Sequence, residues 1–131
     1  MQWQSFLWVG IGGFLGANAR YILSLVISQR FPTIAGRPIP SGTAFVNITG
    51  SFLLAMFLFY AAKKANFPDS AKLLIGTGFF GAYTTFSTYA NESITLFQGK
   101  DWMSALAYII GTNVLCLIGV IAGLFIANRI F

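Results

Sequence analysis

The sequence predicts an all-α membrane protein: four transmembrane helices, the third of them broken, in one domain spanning residues 1–131. Three observations predict it. Hydrophobic residues make up 56% of the chain and charged residues only 8%, where a soluble domain carries roughly 25% charged. Apolar stretches fall at about residues 4–29, 42–62, 71–97 and 102–128, each near the roughly 20 residues that cross a bilayer core. No ten-residue run alternates with period two, so the spans read as helices, which satisfy their own backbone in lipid, rather than barrel strands.

The first stretch has no basic region before it and is about twice the length of a signal-peptide core, so it reads as a retained helix. Its small residues Gly10, Gly13 and Ala17 are spaced for close helix packing. Arg20 is costly within a span. It either snorkels to the rim beside Asn18 and Tyr21 or lines a vestibule that draws in anions. The connection "RFPTIAGRPIPS" (Arg30–Ser41) holds three of the four prolines and reads as non-helical, with Ser41 placed to cap the second helix.

On the second helix Thr43, Asn47 and Ser51 recur every four residues and share a face. An Asn inside an apolar span must meet another helix, a backbone group, water or a solute. The loop "KKANFPDS" offers Asp69 and Ser70 as caps for the third helix. That helix carries Gly76, Gly78 and Gly81, followed by Thr84, Thr85, Ser87 and Thr88 among aromatic residues. Glycine followed by β-branched hydroxyl residues weakens a helix, which places a break near Gly81–Thr85. Backbone exposed there survives where it is buried, lines a cavity or binds an ion, and carbonyls suit a small hard cation. Beyond the break Phe86 and Tyr89 share a helical face, and their positive ring edges suit a small anion.

The turn "QGKD" leads into the fourth helix with Asp101 as its cap and Trp102 at the interface. Tyr108, Thr112 and Cys116 form a second column at four-residue spacing, with Asn113 one step round. Two hydroxyl and amide columns without an acid–base pair read as a solvating surface, not an enzyme: there is no histidine, and Asp69, Glu92 and Asp101 stand apart. Net charge +5 is scattered over loops and ends, which excludes a nucleic-acid module. With Arg20 set aside, Lys63, Lys64, Lys72 and Arg129 flank one membrane side and Arg30, Arg37 and Lys100 the other. So small a bias predicts insertion in both orientations, and four short helices are too few to enclose a polar path, so an antiparallel homodimer is expected.

The segments "GGFLGANARY", "GTAFVNITGSF" and "GFFGAYTTFSTYANE", set in four spans, resemble the Fluc (CrcB) fluoride channel family. The resemblance implies a dual-topology antiparallel homodimer in the bacterial inner membrane. It would carry two fluoride pores that leak cytoplasmic fluoride outward and so confer fluoride resistance, around a structural sodium ion at the dimer centre. By position it gives Asn47 as the pore asparagine and Phe86 with Tyr89 as the pore aromatic pair. Thr43, Thr85, Ser87, Thr88, Glu92, Tyr108, Thr112 and Cys116 fall along the polar path, Arg20 on the first-helix arginine, and Gly81 and Thr84 on the carbonyls that hold sodium. Tyr89 departs from a usual Phe, its hydroxyl either donating to the anion or blocking its way, and Cys116 departs from a common serine. The rival readings are a small dual-topology proton-coupled exporter of organic cations, for which Glu92 is the one candidate acid, and a non-conducting assembly subunit.

Overall fold

The computed structural model describes residues 3–131, and all regular structure in it is helical apart from one isolated bridge. Helix α1 (Trp3–Arg30), α2 (Ser41–Lys63) and α6 (Trp102–Ile130) are long and apolar enough to cross a membrane, with mean hydropathies of 1.3, 1.8 and 2.4. The expected third span is a series of pieces. A turn of helix α3 (Asp69–Ala71) runs into a π-helical segment π1 (Lys72–Phe80), then α4 (Gly81–Tyr83) and, after two extended residues, α5 (Phe86–Gln98).

Glycine sets how closely these pieces approach. A Cβ on Gly12 would overlap the Leu74 carbonyl, and one on Gly16 would overlap that of Phe79, so α1 lies directly on the backbone of π1. From the other side, a Cβ on Gly78 would sit 2.9 Å from the Gly12 Cα. The expected packing stripe is therefore displaced: Gly10 and Gly13 face open space, and the contact runs through the neighbouring pair about 100° round the helix. The second close pair is α2 on α6, where Gly119 and Gly123 rest on the Ile48 and Phe52 carbonyls. A small core of Val46, Phe80 and Tyr83 joins α2 to the pieces of the third span.

Most remaining apolar surface points outward. Only 11% of the apolar window of α1, and of α6, is buried within the chain. In water such a surface would be untenable; it is suited to lipid or to further helices.

Helix starts differ from expectation in two of three cases. Ser41 is the first residue of α2 and does not cap it; its hydroxyl instead donates to the Phe31 carbonyl at 2.6 Å, tying α2 to the end of α1. Pro40 and Pro68 occupy the two N-cap positions, and Asp69 pairs with Lys72 at 2.9 Å. A proline fits a helix start because its missing N–H has no helical partner there to lose. Asp101 does cap α6, accepting from the Ser104 N–H at 3.1 Å. In the first loop Ile34 and Arg37 exchange backbone bonds around Ala35 and Gly36, both left-handed, and Arg37 reaches within 3.9 Å of Asp101.

Candidate anion path

The site begins where the third span loses its helical bonds. Thr84 (φ −86°, ψ 157°) and Thr85 (φ −150°, ψ 116°) are extended. In a continuous helix the Thr85 N–H would bond the Gly81 carbonyl, and the Thr88 N–H that of Thr84. Here the Thr85 N–H donates to Asn47 Oδ1 at 2.8 Å, and the Thr88 N–H to Thr85 Oγ1 at 3.3 Å. The Gly81 and Thr84 carbonyls are thus both released from their helical partners.

Asn47 closes this junction from α2. Its Nδ2 donates to the Thr85 carbonyl at 3.0 Å while its Oδ1 accepts from the Thr85 N–H, and both residues are buried. One amide side chain therefore bonds both backbone groups of Thr85, as a neighbouring strand would, and supplies the acceptor that its N–H lacks at the break. Gly50, one turn on, leaves room for the Thr84 methyl group and Tyr83 ring, which a Cβ would strike. The Thr49 hydroxyl, which donates to the Phe45 carbonyl, accepts from Tyr83 Oη at 3.0 Å and fixes α4 to the same helix.

Beyond the junction the polar and aromatic groups divide. Thr85 Oγ1 donates to Thr88 Oγ1 at 3.1 Å and lies 3.4 Å from Ser87 Oγ, so the Thr88 proton stays free. Ser87, Thr88 and Phe86 face outward, Phe86 with 76% of its surface exposed, whereas Tyr89 keeps only 7%. The two rings are neighbours nonetheless, with centroids 5.7 Å apart at 52°. Tyr89 also tilts against Tyr108, centroids 5.2 Å apart.

Two expected residues, remote in sequence, meet on the carboxylate of a third. Glu92 Oε1 accepts from Thr43 Oγ1 at 2.9 Å, and Oε2 from Tyr108 Oη at 2.7 Å, joining α2, α5 and α6. In this arrangement both hydroxyl protons are committed to Glu92. Thr112 is buried, Cys116 half-buried and free, and Tyr108 and Thr112 lie on the wall of an open, largely apolar groove of about 470 Å³ between the first loop, α2 and α6. Ser51 donates to the Asn47 carbonyl within its own helix at 2.7 Å. Arg20 is half-buried and forms no ion pair among the described residues.

Residues 7–124 match the family described as CrcB-like protein, Camphor Resistance (CrcB). This chain belongs to the CrcB-like family. It is 43% identical over 121 residues to a protein of Koribacter versatilis named fluoride-specific ion channel FluC, covering 92% of this chain and 93% of that one. Proteins of the same name from Hydrogenobaculum sp. and Sorangium cellulosum are 38% and 39% identical. The first alignment covers 95% of this chain and 98% of the relative, the second 97% of each. With these bacterial relatives and its apolar helices, the chain is a multi-pass protein of a bacterial membrane.

Sequence reasoning picked out Asn47, Glu92, Thr43 and Tyr108 but not their pairings, since hydrogen bonds across 38 or 49 residues leave no local trace. It passed over Gly50, and it noted Asn113 beside the α6 column without its bond to Tyr89. A glycine one turn beyond Asn47 on the same helix face was the available signal for the first.

Proposed function

We propose that the chain is a fluoride-selective channel in the bacterial inner membrane. It works as an antiparallel dual-topology homodimer that lets cytoplasmic fluoride leak out and so confers fluoride resistance. The observation that carries this reading is the outward-facing row beside the junction: Phe86, Ser87 and Thr88 stand exposed next to the buried Asn47 and Thr85. One chain supplies half a lined path and leaves the other side open; a second copy, inverted, would close it. The names of the relatives support fluoride as the ion.

Fluoride is small and strongly hydrated, so a path must replace its water with donors at short range and with weak, multiple sites. The donors left over after internal pairing fit this. Asn47 retains one N–H, because its amide has two and Thr85 takes one. Thr88 retains its hydroxyl proton, and Phe86 offers a ring edge without a fixed charge. Glu92, which would repel an anion, has an oxygen covered by each of the Thr43 and Tyr108 hydroxyls, and these residues with Thr112 and Cys116 continue the path along α6. Arg20 would raise the local anion concentration in a vestibule.

The resemblance also implies a structural sodium ion at the dimer axis, and the residues present fit one: the Gly81 and Thr84 carbonyls would hold it, being the two released at the junction. When bound, the ion would supply fixed positive charge that knits the two junctions together. Nothing in the site favours a proton-coupled exporter, since both Glu92 oxygens already accept hydroxyl protons.

Purified protein in liposomes, assayed with a fluoride electrode, tests the assignment of Phe86. Phe86→Ile should suppress fluoride efflux while the dimer elutes unchanged in gel filtration. Efflux at the wild-type rate in that variant would remove Phe86 from the path.

A further inference from the structure

Tyr89 is held at two points. Its ring is buried between Phe86 and Tyr108, and its hydroxyl ends on α6, where it donates to the Ile109 carbonyl at 3.2 Å and accepts from Asn113 Nδ2 at 2.5 Å. Asn113 Nδ2 also donates to the Ile109 carbonyl at 2.8 Å. The orientation of the amide is fixed by that carbonyl, which can only accept, so nitrogen and not oxygen faces it. The Tyr89 hydroxyl is therefore fully engaged, with its proton on a backbone oxygen and a lone pair covered by an amide.

Asn113 itself is an exposed residue in the middle of an apolar helix. A polar amide there is expensive in lipid, and pairing with Tyr89 offsets the cost. A Phe at position 89 would leave Asn113 only its own helix's carbonyl, so the two polar groups make sense together and neither makes sense alone.

We propose that Asn113 is a positioning residue of the anion path: its amide pins the Tyr89 hydroxyl to α6, so that Tyr89 presents the path with a ring edge and not with a hydroxyl donor. A free phenol beside Phe86 would be a strong anion donor and would hold fluoride long enough to slow its passage. The pin keeps the hydroxyl out of the way. This rests on the reading of Phe86 and Tyr89 as path residues.

The test is a double-mutant cycle on dimers purified to the same elution volume, read by two measurements. In liposomes, Asn113→Leu should lower fluoride efflux at least fivefold when residue 89 is Tyr, and should cost nothing beyond Tyr89→Phe alone when it is added to that variant. Should Asn113→Leu fail to assemble, Asn113→Ala carries the same comparison. In ultraviolet resonance Raman spectra, the tyrosine doublet that reports hydrogen bonding at the phenolic oxygen should shift with Asn113→Leu and show no further shift once Tyr89 is Phe. An equal loss of efflux from Asn113→Leu in both backgrounds would mean a structural role for Asn113 alone and would overturn the proposal. So would an unshifted doublet, or an unaltered efflux in Asn113→Leu. Absence of fluoride efflux from the wild type would instead overturn the channel reading, with the Raman cycle still deciding whether the pin exists.

Discussion

Replacing Asn47 by Leu removes the clamp on the junction at nearly constant volume, and the structure sets the size of the effect. Two bonds are lost, Nδ2 to the Thr85 carbonyl at 3.0 Å and the Thr85 N–H to Oδ1 at 2.8 Å. The Thr85 N–H has no helical partner to fall back on, because the residue is extended and 9% exposed, whereas its carbonyl, at the N-cap of α5, keeps the first bond of that helix. The buried N–H left unpaired costs about 1–3 kcal/mol and the second bond lost from the carbonyl about 0.5–1.5 kcal/mol, so the pair gives about 1.5–4.5 kcal/mol. The lower half of that range is expected in a micelle, where the unfolded reference keeps its spans helical and finds other partners. Unfolding by an SDS titration, followed by the fluorescence of Trp3, Trp8 and Trp102, measures it. Ser51→Ala is the control on the same face: its hydroxyl donates to the Asn47 carbonyl of its own helix and meets only the weakly bonding Cys116 thiol of α6, so its loss should cost less than about 1 kcal/mol. An Asn47→Leu protein that unfolds at the wild-type midpoint would refute the role of the amide as the clamp.

Gly12→Ala places a methyl group into the Leu74 carbonyl and should destabilise the protein by about 1–3 kcal/mol or block its assembly, read by the same titration. Tyr108→Phe strips one charge-assisted bond from Glu92 and should cost about 1.5–3 kcal/mol in that assay. At the start of α6 the hydroxyl and backbone N–H of Ser104, with a smaller attraction from Arg37, hold the Asp101 carboxyl below its ordinary value of 3.8. A depressed carboxyl stabilises fully above its unfolded pKa and loses that contribution as pH falls through the folded value. The stability gap between wild type and Asp101→Asn should therefore be constant above about pH 5 and shrink below the ordinary carboxylate value; a gap unchanged at pH 3 would contradict this assignment.

The spans were legible because lipid imposes them: a run of apolar residues near Trp3–Arg30, Ser41–Lys63 or Trp102–Ile130 has few other uses. The weak stretch around Gly81–Thr85 was legible for a related reason, since glycine and threonine together disfavour a helix wherever they fall. The two extended residues there are Thr84 and Thr85, while Gly81 remains helical, because the place where the helix stops depends on Asn47 reaching Thr85 from another helix. The π-helical turn Lys72–Phe80 had no signature that spacing alone reveals; it forms where π1 lies against Gly12 and Gly16 of α1. The same limit hid the use of Tyr89. A tyrosine where a phenylalanine is usual reads as a hydroxyl that donates to an anion or blocks it; the hydroxyl in fact turns to α6, its proton on the Ile109 carbonyl and its oxygen accepting from Asn113, 24 residues away.

The most direct test of fluoride conduction is efflux from liposomes loaded with potassium fluoride and, in parallel, with potassium chloride, each started by valinomycin. Rapid fluoride release well above that of protein-free vesicles, with chloride retained, is the expected result. Fluoride release no faster than from empty vesicles, or chloride leaving as fast as fluoride, would contradict it.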